Sequence, residues 1–192
     1  LEVMQERQVT IGHDTFPVPD PFLAMATQNP IESEGTYPLP EAQVDRFMLK
    51  LRVGYPSREE EKEIMRRMAS GDPIAIQPIA SPQAILEARH RITELYMDER
   101  IVDYIVDIVH ATRYPAEAKL KELAPLIEFG ASPRASINLI LTGRALAFVR
   151  GRHYALPQDV LDMALDVIRH RIVLSYEALS DNVSSDDLLK KI

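Results

Sequence analysis

The sequence has no cysteine and little glycine. Without cysteine among its 192 residues, the chain can form no disulfide framework, no zinc–thiolate site and no cysteine nucleophile. This composition fits a reducing compartment, and we expect a cytoplasmic protein. Only 7 glycines occur beside 14 prolines, which indicates regular elements separated by firm breaks.

Long apolar runs are missing as well. No stretch approaches the roughly 18 residues that a membrane helix needs, so we expect no membrane span. Residues 1–7 lack the basic segment followed by an apolar stretch that marks a signal peptide. They are typical of the last turns of a helix, and we expect the chain to be an excised part of a longer protein.

The charge balance argues against a nucleic-acid partner. The net charge is −7, with 46% hydrophobic and 27% charged residues, a composition typical of a globular protein. A nucleic-acid binder usually shows a basic excess or stripe. The local basic clusters here are flanked by acids, which favours solvated helix faces. These clusters are Arg144, Arg150 and Arg152, and then Arg169 and Arg171.

Several catalytic and metal-binding motifs are absent. No Gly-x-x-x-x-Gly-Lys-Ser/Thr loop occurs to cradle phosphates. Residues 95–99, LYMDE, resemble a strand ending in magnesium-binding Asp-Glu, but helical periodicity on both sides excludes that interpretation. The histidines at positions 13, 90, 110, 153 and 170 show no ligand spacing, so we expect no metal site in this chain.

The first part of the chain predicts strands. Residues 8–18 alternate apolar and polar side chains around a Gly12-His13-Asp14 turn, which indicates a hairpin. Residues 22–27 form a continuous apolar run, typical of a strand buried on both faces. A loop, a short helix over residues 41–46 and a strand over residues 47–53 are predicted to follow.

The rest of the chain predicts helices. Their starts are marked by a Ser57–Glu60 capping box and by Ser81-Pro82, Asp98, Ser132-Pro133 and Pro157. Asp159 is expected to compensate for the missing hydroxyl at Leu156. The stripes predicted to share one face of each helix are Ile85, Ala88, Ile92 and Leu95; Ile101, Ile105, Ile108 and Thr112; Ile137, Leu141, Ala145 and Phe148; and Val160, Ala164, Val167 and Arg171.

The chain therefore divides near residue 55. A mixed α/β remnant over residues 1–55 precedes a helical domain over residues 56–192, and the whole is predominantly helical. Residues 1–55 cannot close a core alone, because strands without covering helices expose their edges and faces. We expect them to pack on other sequence, on the helical domain or on another molecule, with dimerisation or strand swapping as one outcome.

Two polar residues in the first part could contact a phosphate. Asn29 follows the predicted buried strand, where a carboxamide can orient a water against a phosphate. An asparagine that starts an Asn-Pro turn is the alternative. Arg46 ends the short predicted helix. It could stabilise a phosphoryl group in transfer, or it could form a surface ion pair with a carboxylate such as Asp45.

A third candidate, Arg134, lies in the first turn of a predicted helix. Free backbone amides and the helix dipole favour an anion at that position. A cation there opposes the dipole, at a cost of a few tenths of a kcal/mol, unless something negative binds. Phosphate contact and plain solvent exposure both remain open.

Several segments together resemble the MoxR family of AAA+ ATPases. They are residues 1–11, residues 26–32 (ATQNPIE), residues 34–43 (EGTYPLPEAQ), residues 45–47 (DRF), residues 53–61 (VGYPSREEE) and residues 130–135 (GASPRA). The resemblance implies that Asn29 is sensor 1, Arg46 the arginine finger and Arg134 sensor 2. Whether Arg134 acts within its own subunit or across an interface stays open.

The resemblance also implies a fold and a function. Residues 1–55 would be the end of a P-loop AAA+ core and residues 56–192 the helical lid domain. The intact protein would bind ATP and Mg²⁺, assemble into a ring, expected to be a hexamer, and remodel proteins or assist metal insertion. Its expected partners are a client protein and proteins with von Willebrand factor A domains.

One departure from the family is large, because the phosphate-binding loop and the magnesium-binding strand are missing here. We therefore expect this chain alone to be inactive and to bind ATP weakly. A non-enzymatic helical interaction module, with the strands as a docking arm, is the alternative function.

Overall fold

A computed structural model describes residues 2–28, 39–69 and 76–192. The helices are α1 (Glu2–Glu6), α2 (Glu41–Val44), α3 (Arg58–Ala69), α4 (Pro82–Glu94), α5 (Glu99–Arg113), α6 (Pro133–Val149), α7 (Pro157–Ile168), α8 (Tyr176–Ser180) and α9 (Ser185–Leu189). The strands are β1 (Gln8–Ile11), β2 (Asp14–Pro17), β3 (Ile127–Phe129) and β4 (Val173–Leu174). A 3₁₀ helix spans Lys121–Leu126. The fold is mainly helical with few strands, as predicted.

The hairpin predicted over residues 8–18 is present. Strands β1 and β2 are antiparallel, and the register pairs Gln8 with Pro17 and Ile11 with Asp14. Gly12 adopts a φ of 65° in the turn, a left-handed conformation that glycine adopts without a steric cost. Local sequence therefore suffices to build this element.

The two other strands predicted in the first part of the chain are not formed. Residues 22–28 and 47–53 have no regular secondary structure. A strand needs a neighbour that satisfies its backbone N–H and C=O groups, and no described segment pairs with either stretch. Leu23, Met25 and Val53 are exposed, and Val53 keeps 94% of its accessible surface. The predictions of a buried strand over residues 22–27 and of a strand over residues 47–53 were therefore wrong.

The predicted helix starts are confirmed. Ser57 and Glu60 form both hydrogen bonds of a capping box, and Ser81 accepts from the Ala84 amide at 3.1 Å. Asp98 accepts from the Arg100 amide at 3.0 Å. At α7, where no hydroxyl is available, the Leu156 amide donates to Asp159 at 2.8 Å. Side chains thus satisfy amides that helix starts leave free.

The core lies among α5, α6 and α7, and the stripes predicted on α5 and α7 are confirmed. The α5 stripe is buried throughout, and on α7 Val160 and Val167 are fully buried. On α4, Ile85 is exposed, so that stripe is only partly correct. The C-terminal part closes over the core through β3, which pairs with β4 (Ile127 with Leu174), and through Leu189 of α9, which packs against the core.

The stripe predicted on α6 is not the face that packs on the core. Ile137 keeps 56% of its surface exposed, and Leu141 and Phe148 are exposed as well. The buried face instead carries Ala135, Leu139, Thr142, Gly143 and Ala147. A Cβ added at Gly143 would lie 3.4 Å from Cγ2 of Val160, so small residues let α6 approach α7 closely. Because α6 is apolar on more than one side, its periodicity did not identify the packed face.

Within the parts of the chain described above, no helix is both long enough and apolar enough to cross a membrane.

Candidate functional site

The start of α6 is held by the end of α5. Thr112 is fully buried, and its hydroxyl accepts from the Ala131 amide at 2.9 Å. Arg113 Nε donates to the Ala131 carbonyl at 2.7 Å. A Cβ added at Gly130 would lie 2.4 Å from the Thr112 carbonyl oxygen, so only glycine permits this close approach. The sequence GASPRA therefore fixes where the first turn of α6 begins.

Arg134 projects from that first turn and pairs with Asp45. Its Nη1 donates to Oδ2 of Asp45 at 3.1 Å, and its side chain remains 41% exposed. The Arg134 amide donates to the Ser132 hydroxyl at 3.3 Å, while that hydroxyl donates to Asp45 at 3.0 Å. One carboxylate from the first part of the chain therefore binds both the cap and the cation of α6.

Asp45 has a third partner, Arg171, which follows the end of α7. Nε of Arg171 donates to Oδ1 of Asp45 at 3.0 Å, and the Arg171 side chain is fully buried. Burial lowers the pKa of Arg171, and the charge of Asp45 opposes this effect. The two guanidinium groups bind different oxygens of Asp45, because Arg134 binds Oδ2 and Arg171 binds Oδ1.

Arg171 also binds the backbone around Arg46. Nη2 donates to the carbonyl of Asp45 at 3.0 Å and to that of Phe47 at 2.6 Å. Nη1 donates to the carbonyl of Val167, within α7. The guanidinium is thus fixed on α7 and holds a carbonyl on either side of residue 46.

Residues 169 and 170 continue this attachment. His170 Nε2 lies 3.0 Å from the Phe47 carbonyl, and Arg169 Nη1 donates to the Lys50 carbonyl at 2.7 Å. The Lys50 amide donates to the carbonyl of Asp166 at 2.8 Å. Burial lowers the pKa of His170 to about 4, although the Phe47 carbonyl favours the protonated ring. His170 is therefore neutral at pH 7.

We call residues 169–171 the RHR triplet. It attaches residues 45–50, which have no strand partner in the described structure, to the end of α7. The sequence interpretation of Arg169 and Arg171 as part of a solvated helix face was wrong, because their side chains are only 10% and 0% exposed.

A similar correction applies to Arg152 but not to Arg150, whose side chain is 42% exposed. Both form ion pairs with the fully buried Asp159, and Arg152 is only 21% exposed. Burial raises the pKa of Asp159, but the Arg152 pair and the Leu156 amide oppose it, so that the pKa lies below the usual range. This cluster stabilises the start of α7. It makes no described contact with Asp45.

Arg46 lies in the attached segment. Its side chain is half-buried, and its Nε atom is buried without a hydrogen-bond partner among the described residues. The expected alternative, an ion pair with Asp45, is not formed, because Asp45 binds Arg134 and Arg171 instead. The side chain is thus a cation that lacks a partner for one buried N–H group.

The structure links one of the three candidates, Arg134, to the residue that precedes another, Arg46. Arg134 binds Asp45, and Arg46 is the next residue in the chain. Asn29 lies outside the described residues. Sequence reasoning missed Ser132, Asp45 and Arg171 as one cluster. The available signal was Arg171 itself, an arginine at the end of the otherwise apolar stripe Val160, Ala164 and Val167.

The arrangement can exchange one anion for another. Arg134 is partly exposed and binds Asp45 through one N–H group, while Arg171 and Ser132 supply Asp45 with other donors. An incoming phosphate could replace Asp45 at Arg134 without leaving that carboxylate unpaired. The exposed cation at a helix start fits a phosphate ligand. The described residues offer no group of three or more acidic or histidine side chains that could hold a metal ion.

Comparisons with protein families match both parts of the chain. Residues 1–49 match the model described as "ATPase family associated with various cellular activities (AAA)", and residues 121–192 match the "AAA lid domain". Arg46 falls within the first match and Arg134 within the second. The candidate site therefore joins the segments that the two models cover.

Individual relatives extend the match over the full chain. "Chaperone MoxR1" of Mycobacterium tuberculosis is 51% identical over 100% of this chain and 51% of its own length. The protein YeaC of Bacillus subtilis is 37% identical over 100% of this chain and 58% of its own length. "Protein MoxR" of Paracoccus denitrificans is 30% identical over 91% of this chain and 55% of its own length.

A solved structure agrees with the fold. A crystal structure from Cytophaga hutchinsonii, of a protein classed as an ATPase, superposes with a TM-score of 0.94 at 46% identity. The match covers 99% of this chain and 58% of that chain. The chain thus spans about half the length of the relatives that it matches.

Proposed function

This chain belongs to the MoxR family of AAA+ ATPases, and we propose that it is the part that senses the nucleotide and carries the lid. In this proposal residues 1–55 end the α/β core and residues 56–192 form the lid. The intact protein hydrolyses ATP in a ring, and the phosphate-binding loop and the Mg²⁺ ligands belong to the other half of its length.

One observation carries the proposal. Arg134, in one family-matched segment, binds Asp45, which directly precedes Arg46 in the other segment, and both arginines keep N–H groups without a described partner. Arg46 has a buried N–H group without a described partner. Arg134 is held by a single hydrogen bond to a carboxylate that has other donors. A helical docking module would have no need for two such cations beside one carboxylate.

Each residue then has a role. Arg134 contacts a phosphate of the bound nucleotide and couples the lid to its presence. Arg46 reaches the nucleotide of a neighbouring subunit and stabilises the charge that develops on the phosphoryl group during transfer. Asn29 orients the attacking water. ATP supplies the phosphoryl group, and Mg²⁺ would neutralise its oxygens when bound.

The biological setting is proposed on the same basis. The intact protein works in the cytoplasm as a chaperone-like remodeler or an aid to metal insertion. It acts on a client protein together with proteins that carry von Willebrand factor A domains. The ring is a hexamer, and Arg134 contacts a nucleotide within its own subunit or across the interface.

ATP turnover by variants of the intact protein tests the proposal. Replacing Arg46 with Ala should lower kcat by about 10³-fold or more, as expected for an arginine supplied to a phosphoryl group. Replacing Arg134 with Ala should raise the KM for ATP. Arg58→Ala, at the exposed start of α3, is the matched control. Wild-type turnover in the Arg46 variant would refute the assigned role.

The 192-residue chain provides a second test. It should show no ATP turnover and no micromolar affinity for ATP, measured by calorimetry. Mixing intact subunits that carry Arg46→Ala with subunits unable to bind ATP should restore part of the activity if Arg46 acts across the interface. Light scattering of both proteins would report the ring.

The exposed stripe on α6 favours a second function, protein binding. Ile137, Leu141 and Phe148 lie on one exposed face, and such a face suits an apolar partner. If the chain is an interaction module, the double variant Ile137→Ser and Leu141→Ser should abolish the binding of its partners. The ATP turnover of the intact protein should remain unchanged.

A further inference from the structure

We propose that Arg171 is the positioning residue for Arg46, so that Arg46 and Arg134 move as one unit with helices α6 and α7. This inference rests on the proposed function, in which Arg46 acts on a phosphoryl group. It adds Arg171, which does not contact the nucleotide but determines how far Arg46, which does, can reach.

The first argument is the placement of the hydrogen bonds. Arg171 Nη2 binds the carbonyl of Asp45 at 3.0 Å and that of Phe47 at 2.6 Å. These carbonyls belong to the residues immediately before and after Arg46. A single guanidinium thus restrains the backbone on both sides of residue 46, which sets the direction in which its side chain leaves the chain.

The second argument is the rigidity of the anchor. The Arg171 side chain is fully buried, and its Nη1 binds the carbonyl of Val167 in α7. A planar guanidinium offers five N–H donors in a fixed fork, whereas a lysine ammonium offers three on a flexible stem. Lysine at 171 could keep the positive charge beside Asp45 but not bind all of these acceptors at once.

The third argument is the connection to Arg134. Asp45 binds Arg171 through Oδ1 and Arg134 through Oδ2. The Ser132 hydroxyl, at the start of α6, also donates to Asp45 at 3.0 Å and keeps the link to α6 when a phosphate replaces Asp45 at Arg134. The cluster therefore links the end of α7, the start of α6 and the backbone at residue 46. Any movement of the lid helices that leaves the cluster intact carries Arg46 with it.

The chain contains an internal comparison for a purely structural role. Arg152 also binds a buried carboxylate, that of Asp159, and it also binds a backbone carbonyl, that of Tyr154 at 3.1 Å. It makes no described contact with residues 45–50. If Arg171 only stabilised the fold, changing it to lysine should resemble the same change at Arg152.

The experiment uses the intact protein and compares Arg171→Lys with Arg152→Lys. We expect Arg171→Lys to lower kcat by about 10-fold to 100-fold, since displacing a reacting group by about 1 Å can cost that much. The KM for ATP should stay within about 2-fold, because Arg46 acts in the transition state. Arg152→Lys should leave both constants within about 2-fold, even where it lowers the unfolding midpoint equally.

Arg46→Ala in the same assay separates the two ideas. If Arg46→Ala lowers kcat strongly while Arg171→Lys behaves like Arg152→Lys, the positioning role is refuted and the proposed function stands. If Arg46→Ala has no effect, the proposed function fails first. A fall in kcat for both Arg46→Ala and Arg171→Lys, with KM unchanged, supports the positioning role.

A milder variant covers the case in which Arg171→Lys does not fold. His170→Gln weakens the neighbouring contact with the Phe47 carbonyl, 3.0 Å from Nε2, and should lower kcat by about 3-fold to 10-fold at an unchanged KM, on the same positional argument. Wild-type kcat in this variant, with the Arg171 variant unfolded, would overturn the proposal.

Discussion

Arg171 and Asp45 are separated by 126 positions in the chain, yet Nε of Arg171 lies 3.0 Å from Oδ1 of Asp45. The guanidinium has no access to solvent, and the carboxylate has little. A buried pair of this kind is costly to break from one side, because the remaining charge keeps its desolvation penalty and loses its counter-ion. Attachment of residues 45–50 to the helical part therefore depends strongly on this contact.

We expect Asp45→Ala to lower the free energy of unfolding of the chain by about 3 kcal/mol, since it leaves Arg171 buried without its partner. Urea denaturation at pH 7 measures the change. Asp103→Ala, on the exposed side of α5, is the control and should change the free energy by less than about 0.5 kcal/mol. Equal values for the two variants would show that the Asp45 contact contributes little.

A second prediction concerns the buried Asp159. Asp159→Ala should destabilise the chain by about 3–5 kcal/mol, because two guanidinium groups and the Leu156 amide lose their acceptor. Arg152→Ala should cost more than Arg150→Ala. Arg152 is 21% exposed and binds both oxygens of Asp159, whereas Arg150 is 42% exposed and divides its bonds between Asp159 and Asp162. Urea midpoints in the reverse order would contradict this reasoning.

Elements that depend on nearby residues could be predicted from the sequence. The β1–β2 hairpin follows from alternation around a glycine turn. The starts of α3 and α5 follow from Ser57 and Asp98, whose side chains bind amides within three residues. In each case the residues that make the contact lie close together in the sequence, from two positions apart at Asp98 to the pairing of Gln8 with Pro17 in the hairpin, so that the local pattern contains the necessary information.

Contacts between distant segments could not be predicted. The pattern on α6 offered more than one apolar face, and only the packing against α7 selects the one with Gly143 and Ala147. Residues 22–28 carry a strand pattern, but a strand forms only beside a partner. Arg171 fell both in a basic cluster and on the apolar stripe of α7, and its burial could not be predicted because its acceptors, around residues 45–47, lie far away in the sequence.

A third prediction tests the close approach at the start of α6. In Gly130→Ala the new Cβ would lie 2.4 Å from the carbonyl oxygen of Thr112, a backbone atom that cannot turn away. We expect a loss of about 1–3 kcal/mol, typical of overpacking. At Gly54 a Cβ would meet nothing within 4 Å. Gly54→Ala should therefore be neutral or slightly stabilising, and an equal loss in both variants would contradict the packing argument.

The last prediction concerns pH. The pKa of His170 is lowered from 6.5 to about 4, mainly by burial; the charges of Arg171 and Lys50 act in the same direction, and the Phe47 carbonyl and Asp45 oppose them. His170 therefore becomes protonated near pH 6.5 in the unfolded chain but only near pH 4 in the folded chain. By linkage, the stability that the neutral ring contributes is fully present above pH 6.5 and declines as the pH falls towards 4.

His170→Gln should flatten that decline, because glutamine does not titrate. The measurement is the free energy of unfolding by urea at pH values between 7 and 4.5. This range lies above the ordinary pKa of aspartate, and the pKa of Asp159 is lower still, so the buried carboxylates contribute little slope there. Identical slopes for the variant and the wild type would mean that His170 titrates alike in the folded and unfolded chains. In that case the contact between His170 and the Phe47 carbonyl would not be buried away from water.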